Sequence, residues 1–223
     1  MTWLAALALA VVVAALGYVV VGYQHYLYRE QEFRDNRFSG RRRRLFGLGL
    51  AATTGTVTVL AFRPDHYDVG PAAVVVAFSF GLLLLASTDF ERKRIPNKLS
   101  YPLIVAAAAA CWVWPDRLVA DIWFGAAAAI GTAAGIYLLG VIFGKLVGVN
   151  LTVFGLGDVK LMLLLGLLLG LPAVFTALIY GAILGGLPSI PMVLMGKGKR
   201  VFSYGPFLIA GGLIPLLWPG PFV

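Results

Sequence analysis

Eight apolar runs, separated by short polar connections, occupy nearly the whole chain and leave few folds open to it. They extend approximately over Trp3–Tyr23, Leu45–Phe62, Pro71–Thr88, Leu99–Trp114, Ile122–Phe143, Val159–Leu171, Ala173–Met195 and Gly205–Trp218. A helix of ~20 apolar residues crosses the ~30 Å hydrocarbon core of a bilayer. Within lipid, only helices or closed barrels satisfy every backbone N–H and C=O. The spacing therefore predicts an all-α polytopic transmembrane bundle of about eight helices. The fourth, sixth and eighth runs are short for a full crossing, which points to local thinning or partial helices there. Only 13% of the 223 residues are charged, against ~25% in a soluble domain, so no soluble unit of ordinary size can be cut out. The first run has no basic residue ahead of it and is too long for a signal-peptide core, so it is expected to be retained as a helix. Cys111, the one cysteine, excludes an internal disulfide and any Cys-x-x-Cys metal site.

The net charge of +8 does not point to nucleic acid, which would need a basic face on a folded soluble domain. The basic residues lie in connections instead. Arg29, Arg34, Arg37 and Arg41 to Arg44 follow the first run, and Arg92, Lys93, Arg94 and Lys98 follow the third. Lys145 and Lys160 bracket the gap before the sixth, and Lys197, Lys199 and Arg200 follow the seventh, leaving only Arg63 and Arg117 for the other side. Short loops rich in Lys and Arg stay in the cytoplasm. The expected topology thus has both termini outside, Gly40 and Lys197 in the cytoplasm and Tyr67 outside, in the inner (cytoplasmic) membrane of the cell. The long connection "REQEFRDNRFSGRRRRLFG" is read as a topology anchor that attracts anionic lipid headgroups, with substrate docking as the other reading.

This topology brings two acids to one face. The third run, heading inward, ends at Asp89, and the sixth, heading outward, begins at Asp158. An ionised Asp in the middle of a membrane helix costs roughly 2.5 to 3.5 kcal/mol on insertion scales, so such a residue needs a partner, water or a function. Two carboxylates sharing a site repel, and one keeps a proton that a lone Asp would lose; the pair then supplies an acid and a base together. Such a pair can activate water against a peptide carbonyl. Gly155 and Gly157 permit a sharp turn and the close approach of an extended peptide to Asp158. Ile95, preceding Pro96, is biased to an extended conformation. Asn97 is placed to accept a backbone hydrogen bond at the start of the fourth helix.

Plainer roles stand beside these. Asp158 could cap the sixth helix, Asp89 could be a rim acid paired with Arg92 or Lys93, and Lys160 could snorkel to the interface rather than meet substrate. His25 and His66 stand alone near membrane edges and are assigned no catalytic role. Neither a cysteine cluster nor a close His pair is present, so no metal or other cofactor is expected.

At "DFERKRIPNKLS" and "GLGDVKLM" the chain resembles the type IV prepilin leader peptidases, intramembrane aspartyl proteases marked by an Asp followed shortly by Ile-Pro-Asn and a second Asp in Gly-x-Gly-Asp. The late "FSYGPFLIAGG" is similar to the family's Gly-Pro-Phe segment, and the likeness runs from about Ala72 to Gly212. The resemblance implies that Asp89 and Asp158 form a catalytic dyad, with Gly155, Gly157, Lys160, Pro96 and Asn97 in support. It implies cleavage, at the cytoplasmic face, of a basic leader from prepilins or pseudopilins, whose products build type IV pili or type II secretion pseudopili. Residues 1–70 would then form amino-terminal helices with the arginine-rich connection, and 71–223 the peptidase core, in one continuous membrane domain. Larger bacterial members carry an insertion with paired Cys-x-x-Cys motifs and also methylate the new amino terminus; this chain has no such pairs, which leaves methyltransferase activity without support. Two alternatives belong to other classes: a proton- or cation-coupled transporter, which would need acids near the membrane centre, and a catalytically silent scaffold for pilus or secretion assembly.

Overall fold

A computed structural model describes residues 3–27, 40–64, 67–114, 117–147, 155–194 and 203–218, with side chains in all of these except residues 22–27, 41–43, 92, 143–144 and 189–194. Among them are eight α-helices and no strand: α1 (Trp3–Leu27), α2 (Gly40–Ala61), α3 (Val69–Arg92), α4 (Asn97–Ala109), α5 (Val119–Val147), α6 (Leu156–Leu169), α7 (Ala173–Leu194) and α8 (Gly205–Leu217). The bundle expected from the eight apolar runs is the bundle observed. α1, α2, α3 and α5 each contain a segment long and apolar enough to cross a membrane. The fourth run divides, α4 giving way to a 3-10 turn at Ala110–Val113. α3 continues beyond Thr88 to Arg92, so Asp89 lies inside the last turns of a helix rather than past its end.

α6 is the hub. With 14 residues it is only ~21 Å long, and it is apolar around its circumference, the mark of a helix enclosed by others. Met162 and Leu161, Leu164, Leu165, Leu167, Leu168 and Leu169 are all buried, among α4, α5, α7 and α8. In lipid such burial gains little from the hydrophobic effect, because tails are as apolar as leucine; close packing between small residues does the holding instead. A Cβ at Gly166 of α6 would lie 2.7 Å from the Gly125 carbonyl oxygen of α5, and one at Gly211 of α8 would lie 2.3 Å from the Gly181 nitrogen of α7. Both crossings bring backbone against backbone, which only glycine allows.

The two basic residues left over by the charge asymmetry have defined partners. Arg63 donates to the carbonyl of Leu217 at the end of α8 (3.2 Å), and Tyr67 donates its hydroxyl to Leu216 (2.9 Å). Arg117 donates to Leu168 and Leu169 at the end of α6 (2.8 and 3.0 Å) and lies 4.6 Å from the centre of the Trp114 ring. Each cation meets the negative end of a helix dipole and satisfies carbonyls that no further turn can use. Arg63 and Arg117 thus gather at the end of the bundle where α6 and α8 finish, opposite the end where both begin.

Candidate active site

The starts of α6 and α8 and the finish of α3 meet at that other end. α3 stops at Lys93, whose left-handed conformation (φ 54°) turns its N–H back to the Asp89 carbonyl at 2.7 Å. The turn uses the Asp89 backbone and leaves its side chain facing α8. Asp89 is buried, 6% exposed. Ser203 donates its hydroxyl to Oδ2 of Asp89 and lies 3.0 Å from the Asp89 carbonyl oxygen, while the Gly205 N–H donates to the same carboxylate. Gly205 is the first residue of α8 and Pro206 the second, a place where proline's missing N–H leaves no bond unmade. A carboxylate at this point meets free N–H groups and the positive end of the α8 dipole.

Asp158 has a matching seat on its own helix. It is the third residue of α6, and its Oδ2 accepts the N–H of Gly155, the residue before the helix, at 3.1 Å. This is the reach-back half of a capping box, so the capping role foreseen for Asp158 is filled. Capping does not remove it from the site: the charge of Asp89 acts on it, and its own charge acts on the Tyr204 hydroxyl. α8 packs against both α3 and α6, and Gly205 at its start lies against both Asp89 of α3 and Leu161 of α6.

The remaining motif residues lock together next to this pair. The space that a side chain at Gly157 would fill is occupied by Ile95, whose Cδ1 would be 3.1 Å from a Cβ there. The Ile95–Pro96 connection therefore rests on the first turn of α6. Pro96 is the residue capping α4, and no side chain completes that cap. The cap expected of Asn97 is not formed; its Oδ1 instead accepts Lys160 Nζ at 2.5 Å. Lys160 Nζ also lies 4.6 Å from the centre of the Tyr101 ring. α4 thus offers this lysine an exposed acceptor and an aromatic face at the start of α6. Gly155 stays exposed beside Asp158.

Ser203, Tyr204 and Gly205 had no assigned role in the sequence, although they stand in the "FSYGPFLIAGG" segment. The available signal was a serine just ahead of Gly-Pro at the start of an apolar run, the composition of a helix amino terminus. For the rim-acid reading of Asp89, Arg92 has no described side chain and Lys93 is joined to Asp89 through the backbone. His66, Lys197, Lys199, Arg200, Arg29, Arg34 and Arg37 lie outside the described residues, as do the side chains of His25 and of Arg41 to Arg43. Among the described residues no three His, Cys, Asp or Glu side chains gather as a metal site would require.

Residues 76–190 match the model of the type IV leader peptidase family, a span holding both aspartates, the Ile-Pro-Asn connection and α4 to α6. A prepilin leader peptidase/N-methyltransferase of Bacillus subtilis (strain 168) is 28% identical over 153 residues, covering 68% of this chain and 56% of the relative. One of the same description from Burkholderia pseudomallei (strain 1026b) is 31% identical over 168 residues, covering 69% of this chain and 50% of the relative. The chain thus spans about half the length of the curated relatives it matches. No solved structure matches it.

Proposed function

Because the chain belongs to the type IV leader peptidase family, we propose that it is an intramembrane aspartyl endopeptidase that removes the basic leader from type IV prepilins or pseudopilins. The observation that carries this reading is that Asp89 and Asp158 lie at one end of the bundle, each held by a backbone N–H donor at a helix start, with Asp158 within reach of the charge of Asp89. In the reaction, the ionised carboxylate takes a proton from a water molecule as its oxygen attacks the scissile carbonyl carbon. The protonated carboxyl donates a hydrogen bond, then its proton, to the carbonyl oxygen. Collapse of the tetrahedral species breaks the C–N bond, the amine leaves with the proton first taken from water, and the remaining proton returns to the pair. Ser203 and Gly205 hold Asp89 in place throughout, and Gly155 holds Asp158.

Cleavage is assigned to the cytoplasmic face of the inner membrane, in a multi-pass protein, because the connections next to the two aspartates carry the excess of Lys and Arg. The test is Asp89→Asn and Asp158→Asn, each co-expressed with a small protein carrying a basic leader, a Gly and an apolar helix. Both variants are expected to insert normally and to leave the leader uncut. Substantial processing by either one would remove that aspartate from the mechanism.

A further inference from the structure

At the end of the bundle where α3 finishes and α8 begins, an open depression of about 350 Å³ runs between α2 and α3. Its walls include Leu45, Phe46 and Gly49 of α2, Leu83 and Phe90 of α3, and Pro206 of α8. Phe90 follows Asp89 directly, and Pro206 follows the Gly205 whose N–H holds the Asp89 carboxylate. The groove therefore leads to the proposed reaction centre. Phe46 and Phe90, with ring centroids 6.4 Å apart and planes tilted by 59°, stand at this end, and Phe90 is 65% exposed.

The wall is more apolar than its residue names suggest. Thr53 and Ser87 also line it, yet Thr53 turns its hydroxyl to the Gly49 carbonyl (2.9 Å) and Ser87 to that of Leu84 (2.8 Å). Both donors are spent within their own helices, and the surface presented is hydrocarbon and aromatic ring. Gly49 lies midway along the α2 wall with nothing within 4 Å of the place its Cβ would occupy, so the groove stays open where a side chain would fill it.

We propose that this α2–α3 groove seats the apolar helix that follows the scissile bond of the substrate, and so fixes where along the chain the carboxylates cut. The proposal rests on the peptidase reading and adds a location to it. A helix lying against α2 and α3 places its leading end at Phe90 and Pro206, within reach of Asp89. Side chains of its inner face enter the cleft that Gly49 leaves open, the knob-and-small-residue packing that holds helices together in lipid.

The experiment fills the groove. Gly49→Trp projects into open space, so the bundle should keep its fold; Gly131→Trp, at an α5 position equally free of neighbours, is the control. Purified wild type and both variants are assayed on a substrate with a basic leader, a Gly and an apolar helix. In parallel, a photo-activated benzophenone amino acid at position 49 of the Asp158→Asn enzyme is irradiated with the same substrate. Gly49→Trp is expected to slow cleavage about tenfold or more by steric exclusion, Gly131→Trp to leave the rate unchanged, and the benzophenone to attach to the apolar segment of the substrate. Wild-type cleavage rates in Gly49→Trp, or attachment at position 49 to lipid alone while wild type cuts the substrate, would overturn the groove assignment. A wild-type enzyme that cuts no such substrate would instead overturn the peptidase reading, so the two failures are distinct.

Discussion

Adding one methyl group at Gly205 tests how closely the start of α8 grips Asp89. A Cβ there would lie 2.6 Å from Asp89 Oδ2, 3.1 Å from its Cγ and 3.2 Å from Leu161 Cδ1. Real Cβ atoms essentially never come within 3.0 Å of such an atom, so in Gly205→Ala the carboxylate must retreat by ~0.4 Å or more, away from the Gly205 N–H and the Ser203 hydroxyl. Helix propensity argues the other way, since alanine in place of glycine within a helix gains up to ~1 kcal/mol. Sterics should prevail: overpacking a tight interior costs about 1–3 kcal/mol, and a catalytic group misplaced by about 1 Å loses roughly a hundredfold in rate. A shift of about half that size should therefore lower kcat by about tenfold, with at most a modest fall in Tm. The assay is cleavage of a prepilin-like substrate by detergent-solubilised enzyme, with thermal unfolding followed on the same preparations and Gly131→Ala as the unhindered control. Gly205→Ala cutting at the wild-type rate with Tm unchanged would refute both the tight grip and the role given to Asp89.

Other consequences are equally open to measurement. If the two carboxyls share one proton, cleavage should follow a bell-shaped pH profile: on the acid side both are protonated and no base remains, and on the alkaline side both are ionised and no acid remains. A chelator added across that profile should change nothing; a loss reversed by a divalent ion would reassign the aspartates as metal ligands. Gly166→Val places side-chain atoms into the α5 backbone, where even a Cβ meets the Gly125 oxygen at 2.7 Å, and should lower Tm through ~1–3 kcal/mol of overpacking, whereas Gly135→Val should not. Topology can be read by cysteine labelling in a Cys111→Ala background, with Gly40→Cys reacting from the cytoplasm and Asp68→Cys from outside. Asp68 serves better than Tyr67, whose hydroxyl and ring are engaged with Leu216 and Trp114; labelling of Asp68→Cys from the cytoplasm would contradict the loop-charge argument.

Much of the layout could be read from the chain because it follows from one-dimensional patterns. Apolar runs marked the eight helices, and the positions of Lys and Arg placed Asp89 and Asp158 at a common end before any packing was considered. The shortness of α4, α6 and α8 was visible in the same way. The unforeseen parts depend on which helices become neighbours. The partners of Lys160, Asn97 and Tyr101, come from α4 and leave no mark in its own segment. Asn97 reads as a cap until Pro96 takes that place. The seat of Asp89 is built by Ser203 and Gly205, more than a hundred residues away and neutral, so neither periodicity nor charge could disclose it. The carbonyls taken by Arg63 and Arg117 were hidden for the same reason, since a sequence does not say which helix ends beside which cation.

The glycine crossings also give the molecule a distribution of stiffness. α5 is clasped to α6, and α7 to α8, by backbone lying directly on backbone, so each pair resists sliding like a rigid plate. The seam between the plates is softer: α6 meets α8 through leucine side chains, Leu165 on Gly212 and Leu161 on Gly205, and side chains change rotamer far more readily than backbone moves. Asp158 travels with the first plate, and the donors that hold Asp89 travel with the second. The separation of the two carboxyl groups is thus tied to a seam packed by side chains rather than by backbone, the kind of joint that small rearrangements of the bundle reach first.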